Sequence, residues 1–171
     1  MINPELQQIL EKNNILYGQT TEHPFRVVCR NYATGSMVTD TIGIEDGQNI
    51  FHVKETAHAD GGKGHHAPIV EFFLKTDKTP LLTFDRVRLM GYRVEPYVMR
   101  IIDIDYILKD LFQQIGFTLV DFEAGFGKDD DGRFLLHDLD IDNMTIWKNN
   151  VDNKYLIGAH KYILKHLLEV S

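Results

Sequence analysis

The stretch GFTLVDFEAGFGKDDDGRFLLHDLDIDNMTIW, residues 116–147, decides the fold. Phe117–Phe122 and Arg133–His137 are rich in β-branched and aromatic residues, and the DDDG segment Asp129–Gly132 between them supplies turn chemistry. Two strands that follow one another through a turn pair antiparallel. This pairing brings Asp121, Glu123, Asp138, Asp140 and Asp142 close together. Asp138, Asp140 and Asp142 recur with a period of two, which puts them on one face of a strand. Carboxylates gathered in this way are costly unless a divalent metal, a basic side chain or a cationic substrate sits among them, so the cluster points to phosphate or nucleotide chemistry. The same residues also read as a solvated, negatively charged strand edge.

Outward from this pair, elements alternate. Pro4–Lys12 reads as a short helix with Leu6, Ile9 and Leu10 on one face. A polar connection fills 13–23. Phe25–Arg30 and Ile69–Lys75 read as buried strands. Ser36 is placed to cap a short helix over Met37–Ile42. Thr83–Gly91 reads as a helix closed by Gly91. Val94–Ile115 is a long helix in which Val98, Ile101, Ile102, Asp105, Leu108, Leu111 and Phe112 follow a 3.6-residue period, and Gly116 stops it. Lys154–Glu169 reads as a terminal amphipathic helix. Interleaved helices with an antiparallel strand pair define an α+β fold built on an antiparallel-rich mixed sheet with flanking helices. The 171 residues fit one domain: an N-terminal helix and connection over 1–23, a core over 24–150 and a C-terminal helix over 151–171.

Composition narrows the function classes. Hydrophobic residues make up 43% of the chain, enough to bury a core, and the formal net charge of −7 comes without a Lys/Arg block, which argues against a nucleic-acid partner. The single cysteine, Cys29, excludes a disulfide framework and a cysteine-based zinc site, and reads as a small buried hydrophobe. The N-terminal MINPELQQILEKNN is polar and amphipathic, unlike a signal peptide, and no apolar run approaches the roughly 20 residues of a membrane span. A cytoplasmic protein without membrane contact is the expectation.

Two further segments carry candidate chemistry. In RNYATGS, residues 30–36, a strand ends on Arg30, turns through Gly35 and starts a helix at Ser36. Backbone N–H groups, the Ser36 hydroxyl and the Arg30 guanidinium together would cradle a phosphate; the segment also reads as a capped helix beside a surface arginine. The segment His58–His66, HADGGKGHH, holds three histidines with Asp60 and Lys63, yet its spacing matches no metal motif and it reads as a surface loop. Met90, Tyr92, Tyr97 and Met99 read as packing residues.

Three ordered segments, VVCRNYATGSM with GIEDG, then APIVEFFLKTD, then LVDFEAGFGKDDDGRFLLHDLDID with IW, resemble the C-terminal domain of SAICAR synthetase, the phosphoribosylaminoimidazole-succinocarboxamide synthase of purine biosynthesis. The resemblance covers about residues 24–150. It implies an ATP- and magnesium-dependent ligase that joins L-aspartate to carboxyaminoimidazole ribotide through an acyl-phosphate-like intermediate. Arg30 and Ser36 match positions that hold the ribotide phosphate, Asp138 matches a magnesium-holding aspartate, and Asp121 and Lys75 match the aspartate of LVDF and the lysine after the IVEF strand as catalytic positions.

Departures from the pattern are equally specific. The family's LVDF is followed by a lysine where this chain has Glu123, and by a metal carboxylate where it has Gly125. Thr145 and Thr79 stand where the pattern has an arginine and an aspartate. Few residues precede the first matching strand, so an ATP-binding N-terminal lobe is expected to be missing. Glu123 or Asp140 would then supply the absent carboxylate toward the ATP-bound magnesium. The pattern admits two readings: a minimised synthetase that meets ATP at a subunit interface or through a separate partner chain, or a ribotide-binding or regulatory module without ligase chemistry. The apolar surface left by a missing lobe makes a homo-oligomer the expected state.

Overall fold

The structure is a computed structural model that describes residues 2–34, 36–40, 43–50, 68–148, 155–157 and 161–170. Two alternating sequences give its sheet two unlike faces. Along β1 (Thr21–Arg30), Phe25, Val27 and Cys29 are buried in the main core, while Arg26, Val28 and Arg30 alternate with them. Along β4 (Phe117–Lys128), Phe122, Ala124 and Phe126 are core residues and Asp121, Glu123 and Gly125 alternate with them. The strands pair antiparallel with Arg30 opposite Asp121, Val28 opposite Glu123 and Arg26 opposite Gly125. The charged residues of both strands therefore share a face.

β2 (Ile69–Leu74) adds to the other side of β1, setting Glu71 opposite Val28, and β3 (Leu81–Leu82) pairs outside it. On its far edge β4 is long enough to pair with two strands in succession. β5 (Phe134–Leu139) takes residues 124–128, and β6 (Thr145–Lys148) takes residues 117–121. β7 (Tyr155–Ile157) pairs with β6. The order is β3-β2-β1-β4-β6-β7 with β5 also on β4, and all these strand pairings are antiparallel.

The helices, apart from the short one at Ser36–Asp40, pack on the apolar face. α4 (Glu95–Gln114) buries Tyr97, Ile101, Ile104, Leu108 and Leu111, three to four residues apart, and the adjacent Phe112 in one core with Phe25, Phe72, Phe122 and Phe126. Pro96 sits in its first turn, where no N–H partner is required, and Gly116 ends it at φ 82°, a conformation costly for other residues. α1 (Pro4–Lys12) is capped by the Asn3 side chain, which accepts from the amides of Glu5 and Leu6, and buries Leu6, Ile9 and Leu10 in the same core. α3 (Phe84–Leu89) is capped by Thr83. α2 (Ser36–Asp40) begins at Ser36, and α5 (Lys161–Val170) packs near α1 and α4.

The α+β architecture agrees with the sequence reading, with local differences. The strand beginning at Phe117 continues past Phe122 to Lys128. The expected helix over Lys154–Glu169 is instead a strand at Tyr155–Ile157 and a helix from Lys161, because residues 155–157 find an open edge on β6. The acidic run does not extend one strand: β5 ends at Leu139, and Asp140 turns the chain into a 3-10 turn (Ile141–Asn143) by accepting from the Asp142 amide at 3.0 Å. The expected DDDG turn is present, with the Asp129 carboxylate accepting from the amides of Asp131 and Arg133.

The packing and the buried histidine each generate a test. A Cβ at Gly127 would lie 2.5 Å from the Thr21 carbonyl oxygen, so Gly127→Ala is expected to cost about 2 kcal/mol or more in chemical denaturation; a cost near zero would contradict the packing. His23 is 6% exposed and hydrogen-bonded to the Tyr97 hydroxyl at 2.8 Å. Burial, with Lys128 and Lys75 nearby, holds its pKa below the usual value. The folded state therefore favours neutral imidazole: its contribution is complete above the unfolded pKa of about 6.5 and is lost as pH falls toward the depressed folded value. Thermal melts should show wild type losing more Tm than His23→Gln between pH 7.5 and 5, and equal losses would refute the linkage.

Candidate functional site

Arg30 closes β1 on the face away from α4. Its Nε donates to Glu71 Oε2 at 2.6 Å, and its Nη1 donates to Thr34 Oγ1 at 3.0 Å and lies 3.5 Å from Asp121 Oδ2. Thr34 also donates to Asp121. Three strands and the turn after β1 thus meet on one guanidinium, whose side chain is 11% exposed. Nε and Nη1 are committed to these partners, and among the described residues none holds Nη2, the donor end left for a ligand.

The same face carries two more ion pairs. Arg26 reaches Glu123 at 3.0 Å and lies 5.8 Å from the centre of the Phe73 ring. Lys75 pairs with Glu22, and His137 lies beside them, its Nδ1 2.9 Å from Thr20 Oγ1 and its Nε2 3.9 Å from Glu22. A Cβ at Gly125 would come within 3.2 Å of Glu22 Oε1 and 3.4 Å of Lys75 Nζ, so that ion pair fills the space above the glycine.

Arg26, Arg30, Glu71, Asp121 and Glu123 line a groove of about 850 Å³, together with the apolar Met37, Ile44 and Ile50 and with Lys78, Thr79, Pro80 and Leu81. Thr79 holds φ 38°, a left-handed conformation unusual for a threonine. A neighbouring cleft of about 380 Å³ is lined by Arg26, Lys75, Glu123, Asp138 and Asp140. The groove combines an apolar wall with a few directed polar groups, the composition of a small-molecule site.

Behind the sheet lies a buried polar group. Asp105 of α4 is 0% exposed; its Oδ1 accepts from Asn31 Nδ2 at 2.6 Å, and its Oδ2 is 3.5 Å from Lys109 Nζ. Burial raises its pKa, opposed by Asn31, Lys109 and the Cys29 thiol.

The structure joins Arg30 to Asp121 and puts Glu123, Lys75, Asp138 and Asp140 around one cleft. It does not gather the five carboxylates: among the described residues no three His, Cys, Asp or Glu side chains form a metal-holding group. Three of them answer different local demands: Asp121 is bound to Arg30 and Thr34, Glu123 to Arg26, and Asp140 to a backbone amide. Magnesium carried on phosphates needs only one or two carboxylates, with water and phosphate oxygens completing its shell. Asp138 and Asp140, two oxygen donors lining one cleft, suit that mode. Ser36 opens α2, but its side chain, like the segment His58–His66, lies outside the described residues. Sequence reasoning missed Glu71, Thr34, Arg26 and Glu22. For Glu71 the signal was available, as the lone charge inside the apolar run IVEFFL.

The family model of SAICAR synthetase matches residues 2–161. The chain belongs to the SAICAR synthetase family. It is 32% identical over 153 residues to the phosphoribosylaminoimidazole-succinocarboxamide synthase of Staphylococcus epidermidis, covering 85% of this chain and 58% of that protein. The corresponding synthase of Streptococcus agalactiae is 33% identical over 145 residues, with 81% and 55% covered. The chain thus spans little more than half the length of these relatives. A SAICAR synthetase solved in complex with ADP shares the fold at TM-score 0.74 and 20% identity, over 96% of this chain and 73% of that one. The synthase from Ehrlichia chaffeensis does so at TM-score 0.73 and 23% identity, over 97% and 75%. Among the described residues no helix is long and apolar enough to cross a membrane.

The ion pairs differ in burial, which sets their expected worth. Glu71→Gln removes one partner of a mostly buried pair and should destabilise by about 2 kcal/mol. Glu123→Gln breaks a pair whose side chains are 34% and 32% exposed and should cost under about 1 kcal/mol. Denaturant midpoints measure both, and the reverse order would contradict this assignment.

Proposed function

We propose that this chain carries the ribotide-binding part of a SAICAR synthetase and takes part in joining L-aspartate to carboxyaminoimidazole ribotide. The observation that supports this most is Arg30, buried at the groove floor and oriented by Glu71, Thr34 and Asp121. In this reading its Nη2 end and Ser36 hold the 5′-phosphate. Asp121 and Glu71 fix the guanidinium in place before the ligand arrives, so little ordering entropy is lost on binding. The apolar wall of Met37, Ile44 and Ile50 excludes water from the ligand's flank, which strengthens the charged contacts.

ATP supplies the phosphoryl group that activates the ribotide carboxylate toward the aspartate amine. Asp138 and Asp140 are the carboxylates of this chain suited to its magnesium, with Glu123 and the Glu22-paired Lys75 at the same cleft. In this reading ATP meets the cleft at an interface with a second copy or through a separate partner chain. A second reading, a ribotide-binding module without ligase chemistry, draws support from Gly125, whose missing carboxylate leaves the cleft with the Lys75–Glu22 pair.

Calorimetry with carboxyaminoimidazole ribotide tests the phosphate assignment. Arg30→Ala should raise Kd at least about tenfold, the loss of one charge-assisted contact. An unchanged Kd would remove Arg30 from the site. Aspartate-dependent ADP release separates the two readings.

A further inference from the structure

We propose that Asp105 is a positioning residue for the groove: from the helix-covered side of the sheet it locks Asn31, and through Asn31 it sets Arg30 and the wall formed by residues 43–50. The inference rests on the reading of Arg30 as a ligand-binding residue.

Asp105 occupies the apolar stripe of α4, one turn from Ile101 and Leu108, where an aliphatic side chain would fill the same place without the cost of a buried carboxylate. Its local partners form a ring of two hydrogen bonds completed by an ion pair, in which Oδ2 itself accepts no hydrogen bond among the described residues. Asn31 Nδ2 donates to Asp105 Oδ1 at 2.6 Å, Lys109 Nζ donates to Asn31 Oδ1 at 3.3 Å, and Lys109 Nζ lies 3.5 Å from Asp105 Oδ2. Both ends of the Asn31 amide are thereby committed, in a residue that is 2% exposed.

Asn31 follows Arg30, the last residue of β1, and the two side chains reach opposite faces of the sheet, Asn31 to Asp105 of α4 and Arg30 to Glu71. A slip of one residue would exchange them. The lock on Asn31 therefore holds the register that sets Arg30 against Asp121. The Asn31 backbone also anchors the segment beyond β1. Its N–H donates to the Val120 carbonyl at 2.8 Å, and its own carbonyl accepts from Ile50 N–H at 3.1 Å. Ala33 N–H donates to the Gln48 carbonyl at 2.8 Å, and Gly47 N–H donates to the Ala33 carbonyl at 2.9 Å. The groove wall at Ile44 and Ile50 is tied to β1 through these bonds, and Asn31 lies at their root.

The test uses the full chain, with ribotide calorimetry and site-resolved amide exchange. Asp105→Ala should raise the ribotide Kd about tenfold, while Asp105→Asn, which keeps an acceptor for Asn31, stays within about twofold of wild type. Exchange in Asp105→Ala should accelerate at Ala33, Gly47 and Ile50 and stay unchanged at Phe122–Phe126. Should Asp105→Ala fail to fold, Asn31→Ala gives the same two readouts. Unchanged affinity and exchange, or exchange that rises evenly across the sheet, would overturn the proposal. If wild type itself binds no ribotide, the functional reading falls and the exchange pattern alone decides the positioning role.

Discussion

The Arg30 guanidinium is held by carboxylates from β2 and β4 and by the hydroxyl of Thr34, so the end of β1, its two neighbours and the adjoining turn share one fixed point. A charge that is mostly buried requires such partners, because leaving it unpaired costs several kcal/mol. The requirement propagates through the fold. Arg30 must face Asp121, which fixes the register of β1 on β4. That register sets Arg26 beside Gly125 and Glu123, and it sends Phe25, Val27 and Cys29 into the core against α4. One face of the sheet is then committed to packing, and the other presents charges in defined pairs.

The charge balance of the open face suits a ligand that brings directed contacts. The cations Arg26, Arg30 and Lys75 are each neutralised within the chain by Glu22, Glu71, Asp121 and Glu123. Besides Lys78 at the groove's edge, an anion is then met by donors of already oriented guanidinium groups, which favours a ligand whose geometry fits over simple charge attraction. This distinguishes the face from a generic basic patch and agrees with the net charge of −7.

Much of the fold is legible in the sequence. Amphipathic periodicity and end signals mark α1, α3 and α4 to within a residue or two, since Pro4, Thr83, Gly91 and Gly116 each carry a local conformational demand. The β4–β5 turn is equally plain from Asp129 and Gly132. The strand over 155–157 is not legible, because three residues become a strand only when β6 offers an edge, and that edge is a tertiary fact. For the site, the RNYATGS segment points to Arg30, and its family resemblance agrees. The acidic cluster is where the pattern misleads, because a period of two projected past Leu139 runs into the turn of the chain. The pairing of Glu71 with Arg30 and of Asn31 with Asp105 spans 41 and 74 residues, beyond the reach of any local pattern.

The central claim is that a phosphorylated ribotide seats on the charged face at Arg30. Amide and side-chain NMR shifts recorded while carboxyaminoimidazole ribotide is titrated into the intact chain test it most directly. The account predicts saturable changes centred on the Arg30 Nε–H resonance and on the amides of Glu71, Asp121 and Ile50, with the α1 amides unmoved. Saturable changes confined to the α1 and α4 side of the sheet, or none at millimolar ligand, would contradict it.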